Sequence, residues 1–163
     1  MLYENTNYPS VDYLNKLRYY LMEYIPNKLP HDVKPKREAM VKDTYGEGFK
    51  LQLAAYKIVN DIEISHLLGM NDVIVSVLVE EYAQLRYVLR MIENHLKKMK
   101  QYAELKDILD YMNNSFQVKD IGSYLYKDLE LLIDEYDIDV DIKDYMKVYK
   151  NYEPDEEFLG RLR

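Results

Sequence analysis

The chain has no cysteine, no tryptophan, only five glycines and five prolines, and no long uninterrupted apolar run in its 163 residues. Without cysteine there is no disulfide framework, no thiolate metal site and no thiol nucleophile. A membrane helix needs roughly 18 consecutive apolar residues, so no span and no membrane partner are expected. The opening stretch, MLYENTNYPSVDYL, lacks the basic-then-apolar order of a signal peptide, which points to a cytoplasmic setting or the inside of a viral particle. Positive charge is in deficit as well: 22 Lys and Arg against 29 Asp and Glu leave a net charge of −7. Duplex affinity comes mostly from cations that neutralise phosphates, so direct nucleic-acid binding is not expected.

Tyrosine is abundant, with 18 Tyr against 3 Phe. Its rigid ring and polar tip suit contact surfaces. An AT-rich coding sequence explains the excess equally well, and would also favour the 16 Lys over 6 Arg.

The spacing of apolar residues predicts an all-α fold. A first helix should run from Ser10, as N-cap, to Ile25, with Val11, Leu14, Leu17, Leu21, Tyr24 and Ile25 on one face and Pro26 as its stop. The connector PNKLPHDVKPK holds three prolines and His31, and reads as irregular chain before a short helix from Lys36 to Lys42. Thr44 and Glu47 have the spacing of a capping box, and a helix follows to Leu68. Gly69 then suits a helix stop, and Asn71 or Asp72 a new cap, so the two flanking helices form an antiparallel hairpin.

Next, Val75, Leu78, Tyr82, Leu85, Leu89, Ile92, Leu96 and Met99 alternate steps of three and four, the seam of coiled-coil packing. The phase slips after Met99 and continues through Tyr102, Leu105, Leu109 and Met112. Read as one helix, this element has about 40 residues and is roughly 60 Å long. The expected architecture is an elongated helical bundle built on that hairpin, one domain over residues 1–163. A helix so long outreaches a compact chain of this size, so Tyr82, Leu85, Leu89, Ile92, Leu96 and Met99 are expected to meet another chain. Further helices are expected from Ser123 to Tyr136 and from Asp141 to Tyr152, with Pro154 detaching the rest. Residues 153–163 then read as a docking tail, with Phe158, Leu159 and Leu162 as apolar anchors and Arg161 and Arg163 as their charged flank.

Four short motifs touch on chemistry. Arg90 and His95, in RMIENH, are spaced as in the active site of the HEPN ribonucleases, compact all-helical RNA-cutting proteins that this motif resembles. That resemblance implies RNA cleavage with Arg90 and His95 as catalytic residues. Five residues of continuous helix turn about 500°, however, leaving the two side chains about 140° apart, and Met91 stands where that family usually has a polar residue. Glu63 and His66 have the spacing of a di-iron ligand pair, but no second Glu-x-x-His follows. Asp137, Asp139 and Asp141 alternate as in a calcium loop whose required glycine is here Ile142. ELKD at residues 104–107 resembles half of an all-helical nucleotide pyrophosphatase signature, and no Glu-x-x-Glu precedes it.

No metal or cofactor is therefore expected. The leading expectation is a non-enzymatic structural or adaptor protein, a subunit of a homo-oligomer or mixed assembly such as a phage or viral connector ring. The HEPN-like ribonuclease is the alternative enzyme. A third alternative is an acidic inhibitor that mimics nucleic acid through residues 128–144, where eight carboxylates lie within 17 residues.

Overall fold

A computed structural model describes residues 8–29, 35–68 and 72–163, with the side chains of 35–47 and 72 left aside. Among the described residues there are helices and no strands. The first helical stretch is α1 (Val11–Tyr19), a π-helical segment (Tyr20–Tyr24) and α2 (Ile25–Lys28). It is followed by α3 (Pro35–Leu67), α4 (Asp72–Lys98), α5 (Ala103–Ser115), α6 (Asp120–Glu135), α7 (Ile142–Lys150) and α8 (Glu156–Leu162). Helices α3 and α4 form the expected antiparallel hairpin: Ser65 meets Glu81 near one end, and Leu51 shares a cleft with Tyr87 and Met91 further along.

Pro26 does not stop the first helix. Proline lacks an N–H and its ring crowds the carbonyl four residues back. The chain accommodates it by widening the turn before it, so that the Ile25 N–H bonds the Tyr20 carbonyl five residues back. Pro26 leaves the Leu21 carbonyl without a helical donor, and the buried Gln52 amide on α3 donates to it instead.

At the start of α3, the expected Lys36–Lys42 helix and the Thr44 cap give way to one helix of 33 residues that Pro35 opens. Proline is well placed in a first turn, where its missing N–H has no partner to lose. Gly46 and Gly48 are thereby interior helix residues. His31, Gly69 and Asn71 lie outside the described residues.

The single 40-residue helix is corrected. A turn at Met99–Tyr102 divides it into α4 and α5, with the Met99 N–H on the Leu96 carbonyl and the Tyr102 N–H on the Met99 carbonyl, both at 3.0 Å. The slip in phase supplies the reason. Leu96 and Leu105 are nine residues apart, which on a continuous helix is about 900°, or opposite faces. Both are fully buried, and only a break lets α5 turn its apolar side back to the same core.

The N-terminal stretch also packs on α5 through aromatic rings. Tyr111 stacks on Tyr24 at 4.0 Å and on Tyr20 at 5.5 Å, Phe116 lies against Tyr20 at 5.1 Å, and the Tyr20 hydroxyl donates to the Ile108 carbonyl. Helix α6 starts at Asp120, ahead of the expected Ser123 cap, because residues 117–121 already form a tight turn. Gly122 then faces the Tyr149 ring of α7 so closely that an added Cβ would lie 3.1 Å from it. The Arg86 guanidinium lies over that ring, 4.0 Å from its centroid, and donates to the Tyr149 carbonyl.

Candidate functional site

Asp128 is fully buried on the apolar face of α6 between Leu125 and Leu129 and gathers polar partners from three other helices. Its Oδ1 accepts the Ser10 backbone N–H at 3.0 Å, at the start of α1. Its Oδ2 accepts the Ser10 hydroxyl and the Tyr82 hydroxyl of α4, each at 2.5 Å, and lies 3.2 Å from Nε2 of His66 on α3. The Tyr82 hydroxyl is also 2.7 Å from Ser10 Oγ. Tyr8 closes the outer side, stacking on the His66 imidazole at 4.0 Å and donating to the His66 carbonyl at 3.1 Å. One carboxylate thus ties α1, α3, α4 and α6 together. It also occupies the helix end where a negative charge is favoured. Ser10 is the N-cap as expected, but its hydroxyl serves Asp128 rather than its own helix.

Serine, histidine and aspartate meet here without forming a nucleophile. In a hydrolytic triad the imidazole takes the serine proton and the acid orients the imidazole. Here the serine donates straight to the acid, and Ser10, His66 and Asp128 are 0%, 3% and 0% exposed, which leaves no approach for a substrate. The geometry is that of a buried staple.

A second acid, Glu81, accepts the Ser65 hydroxyl at 2.6 Å across the hairpin. Burial pushes its carboxyl up to about 7, with Asp61 and Glu80 adding to the rise and the Ser65 bond opposing it. Nearby, Arg18 of α1 pairs with the buried Glu63 and also donates to Asn60 at 3.1 Å and Asn15 at 3.0 Å. Glu63 and His66 therefore point to different partners, Arg18 and Asp128, and do not form a ligand pair.

The residues singled out for function are dispersed. Helix α4 is unbroken from Asp72 to Lys98, so the wide angle between Arg90 and His95 stands: Arg90 is exposed and His95 half-buried. The expected partner seam lies inside the chain, with Tyr82, Leu85, Leu89, Ile92 and Leu96 buried and Met99 packed against the same core. The break after α4 is the cause, since it lets the chain's own helices cover that face. The tail likewise docks on its own chain. Asp155 caps α8 by accepting the Phe158 N–H at 2.8 Å, Phe158 and Leu162 are buried, Leu159 is half-buried, and Arg161 and Arg163 stay exposed. In the acidic stretch Asp128 is enclosed, while Glu130, Asp134, Glu135, Asp137, Asp139, Asp141 and Asp144 are exposed. Among the described residues no three His, Asp or Glu side chains are grouped to hold a metal ion, and no helix is long and apolar enough to cross a membrane.

Apolar surface is concentrated at the closed end of the hairpin. Ile64 and Leu67 finish α3, Leu68 follows it, Val73 and Val77 begin α4, and these five are 49%, 47%, 64%, 69% and 40% exposed. Spacings of three and four put Ile64 with Leu67 on one side of α3 and Val73 with Val77 on one side of α4. No family model, curated protein or solved structure matches the chain.

Proposed function

We propose that this chain is a non-enzymatic adaptor or structural subunit that binds another protein through the closed end of the α3–α4 hairpin. The observation that supports this reading is the group of exposed apolar side chains at 64, 67, 68, 73 and 77. Single exposed apolar residues are ordinary, whereas five at one end of a single hairpin suit a contact surface. Asp61, Glu80 and Glu81 stand beside it on the same two helices, so a partner surface with apolar anchors and a basic rim is the complement. A second copy of the chain fits less well, because pairing the patch with itself would bring these acids together.

A photoreactive side chain placed at Leu68 in the cells of origin tests the reading, with the same group at exposed Lys100 as control. One defined protein adduct from position 68, absent from position 100 and lost on adding Leu67→Glu and Val73→Glu, is the expected result. Identical adducts from both positions, or none, would overturn it. An RNA-cleaving activity lost in both Arg90→Ala and His95→Ala, with helicity retained, would put the ribonuclease in its place.

A further inference from the structure

Helix α8 does more than cover the core. Between it and the middle of α3 lies a cleft of about 500 Å³. Lys50, Lys57, Arg161 and Arg163 border it, with Asp61 as the one acidic side chain among its lining residues. The concentration is out of character for a chain carrying 29 acidic against 22 basic residues. Among the described residues none of these four cations is engaged in an ion pair; the cations that are so engaged include Lys16, Arg18, Lys28, Lys97 and Lys106. The cleft wall beneath is apolar, formed by Ala54, Ile58, Phe158 and Leu162. A neighbouring recess of about 540 Å³ shares Lys50, Leu162 and Arg163 and extends the apolar wall to Tyr87 and Met91.

From this we infer that the α3–α8 cleft binds a small amphipathic anion, one apolar chain or ring carrying a carboxylate, sulfonate or phosphate. Its size falls within the roughly 300–1,000 Å³ of small-molecule pockets. The apolar body would lie against Ile58 and Phe158, and the anionic head would sit among the four cations. An arginine fork and flexible lysines suit such oxyanions, and among the lining side chains only Asp61 opposes them. The site lies apart from the hairpin end that the proposed function uses, so the two readings stand or fall separately.

Titration calorimetry of the full chain with decanoate below its micelle threshold tests the inference, with decyltrimethylammonium and butyrate as controls. Saturable one-to-one binding of decanoate is expected, with both controls at least about tenfold weaker. Lys57→Glu with Arg161→Glu should weaken decanoate about tenfold or more through charge, and Ala54→Phe should do so by filling the cleft. Circular dichroism checks that the variants keep their helicity, and Leu67→Glu with Val73→Glu should bind decanoate like the parent. Equal binding of the cationic amphiphile, no effect of both cleft variants, or no saturable decanoate binding would overturn the inference. So would association with phosphatidylglycerol vesicles in the absence of decanoate binding, since that would make the cations a surface patch.

Discussion

Asp128 receives hydrogen-bond donors from the start of α1 and from α4, with an imidazole of α3 beside it, all in a space closed to water. Removing such an acceptor leaves several buried donors facing nothing, which costs more than the bonds were worth. Asp128→Asn keeps the shape but turns an amide N–H₂ toward groups that themselves donate. Urea denaturation should show a loss of roughly 3 kcal/mol or more, and Ser10→Ala a smaller loss of about 1 kcal/mol. Glu81 has the opposite character. Its folded carboxyl titrates near 7 against 4.5 when free, so between those values the folded state holds more protons. Stability then falls as the pH rises through that window and stays low above it. Glu81→Gln should flatten the fall in melting temperature between about pH 5 and pH 7.5 and melt higher than the parent at pH 8. An unchanged profile would mean the carboxyl titrates normally. Neither acid's role is legible in the sequence: Asp128 sits in the stripe Ile121, Leu125, Leu129, Leu132, yet nothing local says which groups across the fold will meet it.

Among the elements, helix positions were read well from periodicity and their limits poorly from punctuation. Proline normally stops a helix, yet at Pro26 a widened turn and a donor from Gln52 supply what it removes. The donor lies 31 residues away and leaves no local trace. The end of α6 shows the same dependence on detail. Asp137 stands at φ 50° just past Tyr136, while the Ile138 N–H reaches the Ile133 carbonyl, a Schellman closure whose left-handed position favours glycine. Asp137→Gly should therefore stabilise the fold by about 0.5–1 kcal/mol, and Asp137→Asn, measured beside it, separates backbone strain from charge. The start of helix α8 has little local signal, since Pro154 stands just before it and Gly160 lies within it, leaving Asp155 as the cap that marks it. With Phe158 buried against the chain's own helices, Phe158→Ala should cost about 3 kcal/mol in denaturant unfolding of the isolated chain. A much smaller loss would show α8 to be a detachable arm.

For the whole molecule, the all-helical class and the central hairpin could be read from the sequence, while the division between inner and outer faces could not. An apolar seam says that something must cover it and does not say whether that is the same chain or another. Here the bend between α4 and α5 brings the cover from within, and the apolar side chains left outside include the inconspicuous Ile64, Leu67, Leu68, Val73 and Val77. The buried acid adds a matter of timing. Ser10 and Asp128 are separated by 118 residues. A ribosome adding about 5–20 residues per second needs roughly 6–24 s to cover that distance. Through that interval the first helix is already made, and the acceptor for its leading N–H and for the Tyr82 hydroxyl does not yet exist. Arg18 and Leu21 can meet Glu63 and Gln52 well before then, so the stretch rests on α3 first and its leading N–H is satisfied only once α6 has been made.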